Sequence, residues 1–336
     1  MDALALYEKA RADEGALAGF YHQNVRVDTD TGPVLVRTAG PGNEAMDLTL
    51  WPEPAVLEAI RGHVSRAPRL LHVQSDPPFQ IHEFIEGRLV HDLAPDAGSP
   101  VPDGVVEGVE RLFAELLRIP SEALPPTPAD WPADGDTVAF ALLLLDGVRE
   151  IRGRAAGVLE GLYSDLGVPA DPCSELAGRA VHELTPRPFR LLHGDIHRQN
   201  MILDQGGEVV FLDWELALWG DPVYDLADHL HKTGYPAADR ERVEAGWERV
   251  APADCRSGLE AAAAYYRDYE QMKSAVVDTV RWGRRISQAP ATGEERLRLA
   301  VELRDKLRLG GRHWGGGEPP EAEEIVATAL RRLGTA

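Results

Sequence analysis

The chain has 336 residues and a formal net charge of −20, with 55 acidic and 35 basic side chains. This length is sufficient for a large hydrophobic core and two lobes. The negative charge argues against a nucleic-acid partner, because contacts with phosphate groups depend on Lys and Arg.

The cysteines and the hydropathy pattern indicate a cytoplasmic protein. Cys173 and Cys255 have no spacing typical of a zinc site or a disulfide framework, so we expect two small buried residues in a reducing compartment. The N-terminus lacks the basic and apolar segments of a signal peptide. The longest apolar run, residues 138–145, is too short to span a bilayer, so no membrane partner is expected.

The first predicted element is a β-hairpin. Residues 25–28 and 34–37 form alternating or apolar runs, and residues 29–33 between them predict a five-residue loop. Arg37 ends the second strand, where the alternative to a functional role is an exposed cation at the strand end. A helix is expected to start near Glu53, because prolines on both sides of it suit a first helical turn.

Further strands and helices follow along the chain. Residues 79–85 form an extended apolar run that ends at Glu86-Gly87, and residues 189–192 form a second short strand. Apolar residues at helical spacing predict several helices. The expected helices are one that begins after Pro102-Asp103 and ends near Pro120, and residues 137–165, 173–184, 261–285 and 322–333.

The segment from His193 to Asp213 carries the most specific chemical signal. Residues 193–200 read His-Gly-Asp-Ile-His-Arg-Gln-Asn. A predicted hairpin follows them, with apolar runs on both sides of Gly206-Gly207. Asn200 and Asp213 are nearly symmetric about these glycines. We therefore expect strand pairing to place them side by side, roughly 5 Å apart.

These residue types suit phosphoryl transfer. Asn200 and Asp213 would supply oxygen ligands for Mg²⁺, which keeps coordination positions for phosphate oxygens. Asp195 would accept a hydrogen bond from an acceptor hydroxyl and align it for attack, since this chemistry asks mainly for positioning and charge neutralisation. The alternative is a buried turn whose polar side chains only satisfy backbone groups.

At these residues the chain resembles the aminoglycoside phosphotransferase and choline kinase-like superfamily, small-molecule relatives of the protein kinases. The motif H-G-D-x-x-x-x-N matches residues 193–200, and an apolar-D-W-E motif matches residues 212–215. A third motif, G-D-P-x-x-D-L-A, matches residues 220–227. The resemblance implies an α+β, two-lobed protein kinase-like fold. Residues 1–87 would form a small nucleotide lobe with an antiparallel sheet, and residues 88–336 a larger, mostly helical lobe.

The resemblance also implies roles for individual residues in the catalytic segment. Asp195 would be the catalytic base, and Asn200 and Asp213 would bind Mg²⁺. Asp225 would brace the catalytic loop from inside the protein, and His193 would support the loop without taking part in the chemistry.

On the nucleotide side, the resemblance implies that Arg37 contacts the phosphates of ATP or GTP. Its acidic partner would be Glu53 or Glu58, and the spacing favours Glu53. Backbone groups near Glu83 and Ile85 would bind the purine edge, which leaves adenine and guanine undistinguished.

A phosphate-covering lid is expected over residues 19–24 and includes Asn24. This segment has one glycine where the family commonly has two.

The resemblance implies a small hydroxylated acceptor. An antibiotic is the leading class, and a metabolite such as a sugar, an amino alcohol or homoserine is the alternative. The residues considered for the acceptor pocket are Asp268, Tyr269, Asp278 and Trp282, although helical core packing explains their spacing equally well. The sequence gives no oligomeric state.

Two other functions compete with this interpretation. Gly194-Asp195-Ile196-His197 matches a G-D-x-H element of metallophosphoesterases, and His229 and His231 would have to complete that site; the other elements of those enzymes are missing from the sequence. A non-catalytic kinase-like module usually lacks the base or a metal ligand, whereas this chain has both.

Overall fold

The computed structural model describes residues 2–12, 17–18, 22–39, 48–155, 157–288 and 292–334. The chain divides into two compact units. The first comprises Met1–Trp131 and Phe189–Arg256, and the second comprises Pro132–Pro188 and Ser257–Ala336. The functional boundary after residue 87 stays a prediction.

The first unit contains a five-stranded antiparallel sheet with strand order β1-β2-β3-β5-β4. Its strands are β1 (Leu17–Ala18), β2 (His22–Thr29), β3 (Gly32–Ala39), β4 (Leu70–Ser75) and β5 (Pro78–Glu83). The predicted five-residue loop in the first hairpin is wrong, because Thr29 pairs with Gly32 and only two residues form the turn. Gly32 has a φ of +117°, a backbone conformation available to glycine, which permits this tight reversal.

Helix α1 (Ala3–Ala12), which the sequence analysis did not predict, packs on one face of this sheet. Alternate residues of a strand point to the same face, and this face carries Val25, Val27, Val34, Val36, Phe79 and Ile81. The Tyr7 ring stacks on Phe79 with 4.7 Å between the ring centroids. The opposite face therefore carries the polar row formed by Asn24, Arg37 and Gln80, which pair across β2, β3 and β5.

Two smaller antiparallel sheets and several helices complete the first unit. One sheet contains β6 (Gly87–Leu89), β8 (Met201–Asp204) and β9 (Val209–Phe211), and the other contains β7 (Arg190–Leu192) and β10 (Leu218–Gly220). The helices are α2 (Glu53–Ala59), α3 (Val90–Leu93), α4 (Asp103–Leu116), α8 (Pro222–Thr233) and α9 (Ala237–Val250). Short 3₁₀ turns cover residues 121–123, 198–200 and 253–256. Helix α2 begins at Glu53 as predicted, with Pro52 as its N-cap.

The hairpin of β8 and β9 has a register one residue away from the predicted one. Met201 pairs with Phe211, and the Leu212 amide donates to the Asn200 carbonyl at 2.8 Å. Asn200 is therefore opposite Leu212, and Asp213 follows one residue later. The turn at Asp204 explains the shift, because its carbonyl and side chain accept the amides of Gly207 and Gly206 and set the reversal at residues 205–207.

The second unit is helical in the described residues. Its helices are α5 (Thr137–Gly153), α6 (Val158–Asp165), α7 (Ser174–Glu183), α10 (Leu259–Ser287), α11 (Gly293–Gly311) and α12 (Ala322–Leu333). The prediction of one continuous helix over residues 137–165 is wrong. The chain leaves the helix after Gly153 and resumes it after Gly157, whose φ of +57° is not helical for an L residue.

The predicted α+β class is confirmed, with an antiparallel sheet near the N-terminus and helices over most of the rest. Both cysteines are buried and free. Within the described ranges, no helix combines the length and the apolar character needed to cross a membrane.

Candidate active site

A buried carboxylate organises the loop that contains Asp195. Both oxygens of Asp225, on α8, accept backbone N–H groups at 2.9 Å, one from His193 and one from Gly194. Burial raises the pKa of Asp225 to about 6, although the two N–H groups oppose this rise. Gly194 has a φ of +74°, and a Cβ atom there would lie 2.4 Å from the Leu216 carbonyl, so no other residue fits the turn.

His193 lies inside the protein and contacts the second motif. Its Nε2 is 3.1 Å from the Leu212 carbonyl, and its ring lies 4.4 Å from the Trp214 ring between centroids. Burial lowers the pKa of His193 to about 4, so the imidazole is neutral near neutral pH. These contacts place it between the loop and the segment that carries Asp213.

The Asp195 carboxylate is held on both oxygens and remains 20% exposed. The Asn200 amide donates to Asp195 Oδ2 at 2.8 Å, and Lys232 Nζ donates to Oδ1 at 2.7 Å. His197 Nε2 lies 3.4 Å from Oδ2. Burial alone would raise the pKa of Asp195, but Lys232 and His197 hold it well below its usual range, so this carboxylate is ionised.

Asp213 has an unusual backbone conformation. Its φ is +63°, and it is the sole residue other than glycine with a positive φ in the part of the chain that the structure describes. Such a conformation is costly for an L residue and is concentrated at functional sites. The Asp213 side chain is 30% exposed, and its Oδ1 accepts a hydrogen bond from Arg37 Nη2 at 2.7 Å.

Arg37 joins the sheet to the second motif. Its Nη1 is 3.0 Å from Glu53 Oε1. Its Nη2 contacts both Asp213 Oδ1, at 2.7 Å, and Glu215 Oε2, at 3.5 Å. Glu53 also accepts the Trp214 amide at 3.1 Å. Of the two predicted partners, the structure therefore places Glu53 on Arg37. Glu58 is exposed and pairs with Arg61 instead.

The carboxylates around Arg37 exceed the available positive charge. Burial raises the pKa of Glu53, and burial together with the neighbouring Asp213 raises the pKa of Glu215 to about 8. Burial would lower the pKa of Arg37, but Glu53, Asp213 and Glu215 together raise it above its usual value. Three carboxyl groups thus share one guanidinium.

The donor set fits Mg²⁺. Asn200 and Asp213 provide amide and carboxylate oxygens, the hard ligands that this ion prefers, and Mg²⁺ usually takes few protein ligands and keeps positions for phosphate and water. Among the described residues, no group of three or more His, Cys, Asp or Glu side chains is arranged to hold a metal ion.

The predicted nucleotide-side residues lie in several places. The Asn24 Oδ1 is buried without a hydrogen-bond partner, directly across β2 and β3 from Arg37. Residues 19–21 of the expected lid lie outside the described residues. The Glu83 amide donates to the Arg69 carbonyl at 2.9 Å, which commits that N–H group, whereas Ile85 lies in the segment between β5 and β6.

The residues considered for the acceptor pocket all lie on α10 in the second unit. Tyr269 is buried, and its hydroxyl donates to the Leu144 carbonyl at 3.3 Å. Asp268 accepts from Arg179 at 2.9 Å, and Asp278 pairs with Lys306. Arg285 lies over the Trp282 ring. Core packing accounts for Tyr269.

His229, which a metallophosphoesterase site would need, is fully buried and faces protein groups. Its Nδ1 lies 2.9 Å from the Ile196 carbonyl, and its Nε2 lies 3.0 Å from the Tyr235 hydroxyl. Both ring nitrogens are therefore occupied, which argues against a metal ligand.

Two cationic residues that stabilise the catalytic loop, Lys232 on α8 and Arg198 in the loop itself, were not identified from the sequence. Arg198 is buried and donates to the carbonyls of Ala94, Ser99 and Thr233 at 2.5, 3.0 and 2.9 Å, which anchors the loop to two neighbouring segments. Lys232 lies seven residues after Asp225, so helical periodicity alone would have placed it on the same face of α8.

Residues 14–274 match the model of the phosphotransferase enzyme family. The chain belongs to this family. The predicted enzyme class, a small-molecule phosphotransferase, is thereby confirmed, together with the predicted superfamily. A search of the curated proteins gives no match.

Solved structures of this phosphotransferase's relatives confirm the kinase-like fold. A choline/ethanolamine kinase family protein from Mesorhizobium loti is 16% identical, with a TM-score of 0.56 over 97% of this chain and 99% of that one. Choline kinase LicA from Streptococcus pneumoniae is 14% identical, with a TM-score of 0.57 over 91% and 98%. Aminoglycoside phosphotransferase APH(4)-Ia, as a thermostable mutant in a ternary complex with ADP and hygromycin B, is 16% identical, with a TM-score of 0.53 over 99% of both chains.

Proposed function

We propose that this phosphotransferase moves the γ-phosphate of ATP or GTP to a hydroxyl of a small molecule, with Asp195 as the base and Mg²⁺ on Asn200 and Asp213. The single observation that carries the proposal is the contact between Asn200 and Asp195. One side chain that suits the metal is hydrogen-bonded to the carboxylate that suits the hydroxyl, at 2.8 Å. The residue that would hold the metal is therefore adjacent to the residue that would align the acceptor hydroxyl.

In the proposed step, the acceptor oxygen forms a bond to the γ-phosphorus while the bond between γ-phosphorus and the bridging oxygen breaks. The nucleoside diphosphate takes the electron pair of the broken bond, and Asp195 accepts the hydroxyl proton. A carboxylate with a low pKa is a weak base. It suits a loose transition state, in which the hydroxyl needs alignment more than early deprotonation.

Magnesium would supply charge neutralisation between the phosphates and the carboxylates of the site. Arg37 would contact the phosphates from the sheet, with Glu53 fixing its guanidinium. Asn24, which pairs with Arg37 across β2 and β3, would contact the nucleotide beside it. Backbone groups near Glu83 and Ile85 would bind the purine. The ADP in the APH(4)-Ia complex supports ATP as the first nucleotide to test, with GTP as the alternative.

For the acceptor, we propose an antibiotic as the leading class. The hygromycin B complex and the similarity to a macrolide 2′-phosphotransferase, 17% identical with a TM-score of 0.52 over 100% of this chain and 97% of that one, support it. A metabolite kinase is the second candidate, supported by the choline and ethanolamine kinases among the similar structures. The reduced, buried cysteines support a cytoplasmic location for either activity.

The test is a coupled assay of nucleotide consumption with ATP and with GTP, with and without Mg²⁺. Acceptors should include aminoglycosides, macrolides, nucleoside and peptide antibiotics, sugars, choline, ethanolamine and homoserine. The proposal expects acceptor-dependent nucleotide consumption and one phosphorylated product, detected by mass spectrometry. Release of phosphate from a phosphomonoester without nucleotide, or no transfer to any acceptor in the panel, would overturn it.

A further inference from the structure

One face of α8 carries several contacts to the catalytic loop. Residues 225, 228, 229 and 232 follow helical spacing, so their side chains project from the same side of the helix. Asp225 and His229 hold backbone groups of the loop, through the amides of residues 193 and 194 and the carbonyl of Ile196. Lys232 differs from them, because it contacts the side chain of Asp195 itself.

The Lys232 ammonium lies among three oxygens of the protein. It donates to Asp195 Oδ1 at 2.7 Å and to the Gly194 carbonyl at 3.1 Å, and it forms an ion pair with Asp228 Oδ1 at 3.0 Å. Asp228 is fully buried, whereas the Lys232 side chain is 22% exposed. Two hydrogen bonds to the catalytic loop and one ion pair on its own helix therefore hold the Lys232 ammonium beside Asp195.

The two oxygens of the Asp195 carboxylate thus have different protein partners. Lys232 holds Oδ1, and the Asn200 amide holds Oδ2, so rotation of the carboxylate plane would break both hydrogen bonds. Each carboxylate oxygen has two acceptor sites. Asn200 and His197 both approach Oδ2, whereas Lys232 takes one site of Oδ1, which leaves the second site of Oδ1 for a substrate hydroxyl. A displacement of about 1 Å at such a group costs on the order of 100-fold in rate.

We propose that Lys232, anchored by Asp228, is a positioning residue that fixes the orientation of the Asp195 carboxylate for the acceptor hydroxyl. This inference rests on the proposed function, since it takes Asp195 as the base. It gives Lys232 an effect on turnover that depends on Asp195 and that leaves nucleotide binding unchanged.

The experiment compares Lys232→Met, Lys232→Arg and the control Lys9→Met, measured by steady-state phosphotransfer. Lys9 is a matched lysine of the same unit, on α1, where it donates to the Asp28 carbonyl at 3.0 Å. We expect Lys232→Met to lower kcat on the order of 100-fold, with the nucleotide KM within about threefold of wild type. Lys232→Arg should recover about tenfold of that loss, and Lys9→Met should match wild type.

A double-mutant cycle with Asp195→Asn separates positioning from a general structural effect. If Lys232 acts through Asp195, adding Lys232→Met to Asp195→Asn lowers kcat by less than about threefold. Multiplicative losses, an unchanged kcat in Lys232→Met, or a nucleotide KM raised by the same factor as kcat falls would each overturn the inference. If Lys232→Met does not fold, Lys232→Gln is used in the same cycle with the same criteria.

Failure of this inference is distinguishable from failure of the proposed function. If the wild type is active and Lys232→Met is equally active, only the role of Lys232 is wrong. If the wild type transfers phosphate to no acceptor, both the role of Lys232 and the proposed function are wrong.

Discussion

Arg37 and Asp213 form an ion pair, with 2.7 Å between Nη2 and Oδ1, across 176 residues of sequence. The same guanidinium binds the buried Glu53. A residue of the sheet and the backbone-strained residue of the second motif are therefore in direct contact. Asp213, the proposed Mg²⁺ ligand, is thus also an ion-pair partner of Arg37.

The first prediction concerns stability. Arg37→Met leaves the Glu53 carboxylate buried without its cation, and we expect the free energy of unfolding to fall by about 3 kcal/mol. Arg61→Met is the control, because Arg61 pairs with Glu58 on the surface and its loss should cost less than about 1 kcal/mol. Urea denaturation followed by circular dichroism measures both variants. Equal effects would contradict the buried role of Arg37.

The second prediction concerns the metal. We expect Mg²⁺ to strengthen nucleotide binding to the wild type by at least about tenfold, since it neutralises phosphates beside several carboxylates. Asp213→Ala should bind nucleotide equally with Mg²⁺ and with EDTA, because it lacks the metal carboxylate. Isothermal titration calorimetry under both conditions provides the comparison. A Mg²⁺ effect that survives in Asp213→Ala would assign the metal to other residues.

The third prediction follows from the raised pKa of the buried Asp225. A carboxyl whose pKa is about 6 in the folded state favours folding in its protonated form, so its contribution to stability is lost as the pH rises. Relative to Asp225→Asn, the wild type should lose about 3 kcal/mol of unfolding free energy between about pH 3 and pH 7. Urea denaturation of both proteins across this range gives the difference. A difference that does not change with pH would show that Asp225 is not desolvated.

Sequence patterns predicted local structure better than long-range contacts. The start of α2 at Glu53 follows from the preference of proline for the first helical turn, whereas the roles of Asp195, Asn200 and Asp213 stay predictions. The hairpin register did not follow, because the Asp204 side chain sets the turn one residue away from the symmetric position.

Contacts made by packing were beyond sequence reasoning. Lys232 reaches Asp195 only because α8 packs under the catalytic loop, and Arg198 turns inward because carbonyls from two distant segments converge there. Helix α1 has weak amphipathic patterning, and only the sheet beneath it shows which side is buried. The helix break before Gly157 could not be predicted from hydrophobic spacing, because the apolar residues on both sides of it keep the same helical periodicity.

Asp195→Asn is the most direct test of Asp195 as the base for phosphoryl transfer. A general base contributes about 10²–10⁴-fold to the rate, so kcat should fall by this factor in the acceptor-dependent assay. Nucleotide affinity, measured by calorimetry with Mg²⁺, should stay within about threefold of wild type, because the proposed role of Asp195 is toward the acceptor hydroxyl. An Asp195→Asn variant that transfers phosphate at the wild-type rate would contradict the account.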